Sequence, residues 1–258
     1  MLTGYETFKE KIFKLTKIDL SCYKERQMKR RIDSLITRNN YQDYDSYYNA
    51  LLKDTRLFNE FINYLTINVS EFYRNPSQWD ILEKEIIPKL LSYKKTLKVW
   101  SAACSTGEEP YSLVMLLSKF MDLKDIKVFA TDIDEDALNK AKIGVYSEKS
   151  LANLPKEFIN KFFIKNPTTY SIKEEVKKCV EFKKHNLLMD NYPSDCDIIT
   201  CRNVLIYFTE EAKNDIYLKF SKSLSPEGVL FVGSTEQIIS AQKYNLEPMR
   251  NFFYRLKK

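Results

Sequence analysis

The sequence predicts an α/β protein with two additions: an all-helical domain ahead of the α/β part, and a small antiparallel β subdomain inserted into it. Three observations carry this. Residues 1–67 hold no proline and repeat apolar residues at helical spacing. From Thr96 onward, short apolar strands alternate with amphipathic helices, the pattern of an α/β sheet. Residues 145–180 interrupt that alternation. The expected organisation is a helical domain over 1–70, a linker and helix over 71–95, and an α/β domain over 96–258 with its insert at about 145–180.

In the helical domain, Phe8, Ile12, Phe13 and Leu15 mark a first helix. Met28, Ile32, Leu35 and Ile36 mark a second, whose opposite face carries the basic run KERQMKRR. Tyr44, Tyr47, Tyr48, Leu51 and Leu52 give a third helix, and Leu57, Phe58, Phe61, Ile62 and Leu65 a fourth. These aromatics read as core, because their spacing is that of a buried helix face. A polar break, NVSEFYRNPS, covers residues 68–77. Trp79, Leu82, Ile86, Ile87, Leu90 and Leu91 mark the next helix, which Pro88 is expected to bend or end.

The α/β part opens with KVWSAACSTGEEPYSLVMLL, residues 98–117, which reads as a buried strand, a tight polar turn and a helix. Pro110 near the first helical turn, and Glu108 and Glu109 at the positive end of the helix dipole, are start signals. KVFATDID gives a second strand ending in Asp132, and EDALNKAKIG a helix closed by Gly144. In the insert, LPKEFINKFF is helix-like and extended pieces lie around YSIKEEVKKCVEF. The core resumes with VEFKKHNL, DIITCRNV, the helix AKNDIYLKFSKSL and the strand GVLFVGS. NFFYRLKK alternates and reads as an edge strand.

A strand–turn–helix unit brings backbone close to a ligand at the carboxyl edge of an α/β sheet, and a carboxylate after the second strand suits ribose hydroxyls. The turn is nevertheless not a phosphate loop. Cys104, Ser105 and Thr106 stand where glycines would be, and Glu108 and Glu109 would repel a pyrophosphate. Two carboxylates suit a cationic, phosphate-free nucleoside such as S-adenosylmethionine. An ordinary βα unit with a solvated acidic helix start fits the same residues.

Composition narrows the field. The chain has 258 residues, 44% hydrophobic and 14% aromatic, enough for a packed core. The net charge of +6 permits an acidic partner and specifies none. No apolar run approaches the ~20 residues that span a membrane, and the start does not read as a signal peptide. Five cysteines without C-x-x-C spacing and a single histidine, His185, disfavour a metal site and Ser–His or Cys–His chemistry. A reduced, cytoplasmic protein is expected.

Taken together, NVSEFYRNP, WSAACSTGEEPYSL, ATDIDEDALNKAKIGVY, NLL, DIITCRNVLIYF and SPEGVLFVGSTE resemble, in order and spacing, the CheR family of chemotaxis receptor methyltransferases. The resemblance runs from about residue 20 to the C-terminus. It implies a Rossmann-like methyltransferase domain with an N-terminal helical domain and an inserted β subdomain. It implies S-adenosylmethionine as cofactor, with S-adenosylhomocysteine as product, and glutamate side chains of methyl-accepting chemoreceptors, in their cytoplasmic domain, as acceptors. Nucleic acid is not an expected partner, and the chain is expected to be monomeric and not membrane-embedded. Residue by residue, the resemblance places Asn68, Ser70 and Arg74 at the methionine end of the cofactor. It makes Glu109 an acidic ligand, Asp132 the ribose acid, and Asn186 and Leu187 the adenine pair. Arg202 and Asn203 match the family's Arg-Asn, Tyr207 its aromatic hydroxyl, and Arg31 an arginine reaching the active site; Arg31 and Tyr207 are the catalytic candidates. The insert is expected to dock protein, since some members hold a receptor tail there. Two departures stand out: Ser70 where threonine is also common, and Gly233, Ser234, Thr235, Glu236 where the family often has Gly-His-Ser-Glu. A methyltransferase for RNA or small molecules and a catalytically silent cofactor-binding module remain the competing readings.

Overall fold

The computed structural model describes residues 4–258; the first three residues of the expected helical domain lie outside the described residues. Contacts divide the chain into two compact units, residues 1–67 with 207–215, and residues 68–206 with 216–258.

The helical unit contains α1 (Tyr5–Thr16), α2 (Glu25–Arg38), α3 (Tyr44–Leu51) and α4 (Thr55–Thr66). Side chains fix two of the helix starts: the Asp43 carboxylate accepts from Ser46 N, and that of Asp54 from Arg56 N and Leu57 N. Such caps are worth about 1 kcal/mol each. Phe8, Tyr44, Tyr47 and Phe61 are fully buried and meet ring to ring, which makes the aromatics core. Met28, Ile32, Leu35 and Ile36 of α2 are buried, while Arg26 and Arg30 are exposed. Residues 207–215 complete this unit: the Tyr207 carbonyl accepts from Lys24 N at 2.9 Å, Thr209 N donates to the Cys22 carbonyl at 2.8 Å, and Tyr23 meets Phe208 with ring centroids 4.8 Å apart. Their membership here is a tertiary fact with no local signature in the sequence.

The second unit begins with α5 (Pro76–Ile81), which runs through a π-helical turn (Leu82–Ile86) into α6 (Ile87–Leu91). Pro88 therefore does not end the helix. Proline cannot donate to the carbonyl four residues back, and the widened turn ahead of it accommodates the missing bond.

The α/β core holds β1 (Val99–Ala102), α7 (Glu108–Leu117), β2 (Val128–Asp132) and α8 (Glu135–Ile143). The insert follows, with β3 (Val145–Tyr146), α9 (Lys156–Phe162), β4 (Phe163–Lys165), β5 (Tyr170–Ile172) and α10 (Glu174–Lys177). The core resumes with β6 (Val180–Lys184) and β7 (Cys196–Cys201), then α11 (Glu210–Ser223), β8 (Leu224–Val232), β9 (Leu246–Arg250) and β10 (Phe253–Leu256). Among the described residues the strands form a seven-stranded sheet, ordered β6-β2-β1-β7-β8-β10-β9, and a three-stranded antiparallel sheet, ordered β3-β5-β4. The first five strands of the larger sheet are parallel, and β10 runs antiparallel to both its neighbours, β8 and β9. This is a Rossmann-like sheet with a small inserted one, as the sequence predicts. The strand order reverses between β1 and β7, so the carboxyl ends of β1, β2 and β7 form the switch point where such sheets bind ligands.

Two local expectations change. The final strand β10 is not the edge: it lies between β8 and β9. The true edge, LEPMR, carries Pro248, which cannot donate to a ladder and is tolerated where one side is unpaired. In the insert, YSI is a strand but EEVK forms α10, anchored by the fully buried Val176. Phe72 joins the insert to the core, with ring contacts to Tyr146 at 4.8 Å and Phe163 at 5.4 Å.

Candidate active site

The turn after β1 bends sharply. Ala103 (φ 63) and Ser105 (φ 48) take left-handed backbone conformations that L residues adopt at a cost, and Gly107 (φ 95) caps α7. Gly107 is required here, since a Cβ would lie 2.8 Å from the Ala141 Cβ and 2.9 Å from the Tyr146 hydroxyl. The strained turn is held from several sides. Cys104 N donates to the Thr131 carbonyl (2.8 Å) and Ser105 N to Asp132 Oδ2 (2.7 Å). The Ser105 hydroxyl donates to Asn68 Oδ1 (2.9 Å), and Tyr146, from the insert, donates to the Thr106 carbonyl (2.7 Å).

Asp132 ends β2 beside this turn. Its other oxygen accepts from Asp134 N at 3.0 Å. One N–H on each oxygen leaves further acceptor capacity on both, which suits two vicinal hydroxyls. Asp134 caps α8 through Asp136 N and Ala137 N and accepts from Asn68 Nδ2 at 2.6 Å. The Asn68 amide thus bridges Ser105 and Asp134.

Burial pushes the Asp132 carboxyl up from its ordinary 3.8 to about 6, with N–H bonds from Asp134 and Ser105 opposing and the Asp134 charge adding. Its contribution to stability is full below the unfolded value and is lost as pH rises through about 6. Hydroxyl donors prefer the ionised form, so nucleoside binding has the opposite slope. Affinity for S-adenosylhomocysteine is expected to weaken as pH falls below about 6, by up to tenfold per unit if only the carboxylate binds. Calorimetry at pH 5 and pH 7.5 checks this; equal affinities would remove Asp132 from the ribose position.

A second hub lies at the ends of β1 and β7. Glu109 accepts from the hydroxyls of Ser101 (2.8 Å) and Thr200 (2.5 Å), with Arg202 Nη1 at 3.5 Å. Arg202 Nη2 donates to the Arg74 carbonyl (2.6 Å) and Gln78 Oε1 (2.8 Å), and its guanidinium stands over the Phe231 ring at 4.5 Å. Burial pushes the Arg202 guanidinium down, and the Glu109 carboxylate opposes this. Arg202 Nε and Gln78 Nε2 are buried without a partner, so the hub has donors to spare for an acceptor such as an amino-acid carboxylate. Arg74 is half-buried and uses Nη1 on the Val69 carbonyl at 3.2 Å.

The remaining candidates occupy separate settings. Ser70 bonds the buried Glu108, whose carboxyl burial pushes up. Asn186 shapes a turn after β6, with its Oδ1 accepting from Leu188 N at 3.0 Å, and Leu187 is buried beside it. Asn203 sits at φ 60 and donates its N–H to Glu236 at 2.6 Å. Arg31 and Tyr207 belong to the helical unit. There the Arg31 guanidinium donates to the Tyr64 carbonyl and lies 4.5 Å over the Tyr64 ring, and Tyr207 is half-buried. His185 is buried against Trp100 and Tyr192, with Nε2 3.2 Å from the Asn191 carbonyl.

Residues 68–253 match the SAM binding domain of CheR methyltransferases, and residues 3–66 match their all-alpha domain. The chain belongs to the CheR methyltransferase family. A chemotaxis protein methyltransferase of Listeria innocua is 45% identical over 238 residues, covering 92% of this chain and 91% of its own. That of Borreliella burgdorferi is 35% identical, covering 86% and 83%. The Escherichia coli K12 protein of the same description is 35% identical over 75% of this chain and 70% of its own. Family membership makes S-adenosylmethionine the cofactor, and the donors and acceptors around Asp132 and Arg202 fit it. The sequence did not single out Ser105, Asp134 or Glu236 as site-forming. Of the three, Asp134 alone carries a local signal, an aspartate immediately ahead of a helix in the N-cap position.

Among the described residues no helix is long and apolar enough to cross a membrane, and no acidic, histidine or cysteine cluster could hold a metal ion.

Proposed function

We propose that the protein methylates glutamate side chains of chemoreceptors to γ-methyl esters, for sensory adaptation in bacterial chemotaxis. The observation that supports this most is that both regions of the chain, helical and α/β, match the two domains of the family, in that order.

S-adenosylmethionine supplies the methyl group. Asp132 would accept from the ribose hydroxyls, and Asn186 and Leu187 would frame the adenine. Asn68, Ser70 and Arg74, with Glu109, Arg202 and Asn203, would hold the methionine end. The acceptor carboxylate is ionised at neutral pH, with a pKa near ~4.3, and is already a nucleophile. The chain therefore needs no general base. What it must supply is alignment, worth roughly 7–11 kcal/mol in favourable cases. In this reading Arg31 orients the incoming carboxylate, a role guanidinium geometry suits, and Tyr207 steadies the methyl end of the cofactor. The protein would act as a cytoplasmic monomer on the cytoplasmic domain of the receptor. The insert, whose strands β3 and β4 are the edges of its sheet, offers a place for a receptor segment to add as a strand.

Transfer of a tritiated methyl group to receptor-containing membranes tests the function, with RNA offered in parallel. Label in receptor is the expected result, and label in RNA alone would overturn it. In the same assay Arg31→Ala is expected to lower turnover far more than it weakens S-adenosylhomocysteine binding. Equal losses would move Arg31 to the cofactor site.

A further inference from the structure

Glu236 closes a short turn after β8 and is 5% exposed. Its carboxylate has an unusual set of partners: four backbone N–H groups. Oε2 accepts from Asn203 N at 2.6 Å and Gly233 N at 2.9 Å, and Oε1 from Leu205 N at 2.7 Å and Ile206 N at 3.3 Å. Three of the four donors belong to the segment that leaves β7, the segment that opens with Arg202 and Asn203. In it Asn203 holds a left-handed backbone at φ 60. Gly233 permits the approach, since a Cβ there would lie 2.9 Å from Asn203 N.

A buried carboxylate is costly unless hydrogen-bonded. Burial pushes the Glu236 carboxyl up, and the four N–H bonds oppose this. Such a group is retained for what it holds. We propose that Glu236 is a positioning residue of the cofactor site: its two oxygens fix the backbone from Asn203 to Ile206 and so set how Arg202 and Asn203 are presented. The inference rests on the reading that these two residues meet the cofactor. It requires a carboxylate, which accepts on both oxygens. The glutamine amide has the same shape but turns an NH2 group toward two of the N–H donors.

The test compares wild type, Glu236→Gln and a control, Val176→Ala. Val176 is fully buried in the insert and serves for matched loss of thermal stability. Two readouts are taken: amide hydrogen exchange of residues 203, 205 and 206 without ligand, and S-adenosylhomocysteine affinity by calorimetry. Glu236→Gln is expected to speed exchange at those amides at least tenfold and to raise the dissociation constant at least tenfold, while Val176→Ala changes neither more than twofold. If Glu236→Gln does not fold, Glu236→Asp, one methylene shorter, takes its place with the same expectations. Unchanged affinity, with or without faster exchange, would overturn the positioning role, as would weaker affinity without faster exchange. Failure of the wild-type protein to bind S-adenosylhomocysteine would overturn the cofactor reading itself and this inference with it.

Discussion

Replacing Arg202 by alanine is expected to destabilise the α/β unit by about 3–5 kcal/mol, the usual cost of removing one partner from a buried ion pair. The Arg202 side chain is 3% exposed and that of Glu109 13%. Without the guanidinium, Glu109 keeps only the Ser101 and Thr200 hydroxyls, and Gln78 Oε1 and the Arg74 carbonyl lose a charged donor. The Arg74 carbonyl keeps the Trp79 indole N–H at 3.0 Å, whereas Gln78 Oε1 loses its donor and the Glu109 charge loses its counter-ion. Cation–π contact with Phe231 is lost as well. Urea unfolding gives the value directly. A loss below about 1 kcal/mol would show that the hub is solvated and does not act as a buried ion pair.

Asp132→Ala is expected to weaken S-adenosylhomocysteine binding by about 1.5–3 kcal/mol, the range for hydrogen bonds to a charged group. That corresponds to a loss of roughly 10-fold to 150-fold. The fold should persist, because the carboxyl is costly when ionised in its buried position and its removal also removes that cost. Ser105 N and Asp134 N lose their acceptor, so the turn after β1 is where the structure should loosen. Calorimetry with the variant at pH 7.5 decides the matter, and an unchanged affinity would refute the placement of Asp132.

Much of the fold was legible because burial imposes a period on sequence. The buried face of α2, Met28, Ile32, Leu35 and Ile36, has the helical spacing that predicted it. The strand β7, CDIITC, is buried at every position because it lies inside the sheet with both neighbours parallel, and its apolar centre, Ile198 and Ile199, marked it in the sequence. What was not legible depended on partners distant in the chain. The edge strand β9 lacks the strand signature because Pro248 and its charged neighbours suit a ladder with one open side. The attachment of residues 207–215 to the helical unit depends on Lys24 and Cys22, far away in sequence. The same distinction holds at the candidate site. Asp132 is suggested by its place at the end of a strand, a local pattern. Glu236 acts on backbone N–H groups of a segment some thirty residues earlier, and backbone donors leave no trace in residue type. Asn68 reads as a polar break yet bridges Ser105 and Asp134, a function visible only once the turn after β1 is folded.

A carboxylate acceptor is recognised by the chemistry of its methylated product. After transfer of tritiated methyl to receptor-containing membranes, mild alkali hydrolyses a carboxyl methyl ester and releases volatile methanol, whereas methyl groups on nitrogen stay on the protein. The label is expected to become volatile on alkali treatment, and receptors whose acceptor glutamates are replaced by alanine are expected to take up none. Label that stays bound through alkali, or that enters receptors lacking those glutamates, would contradict it.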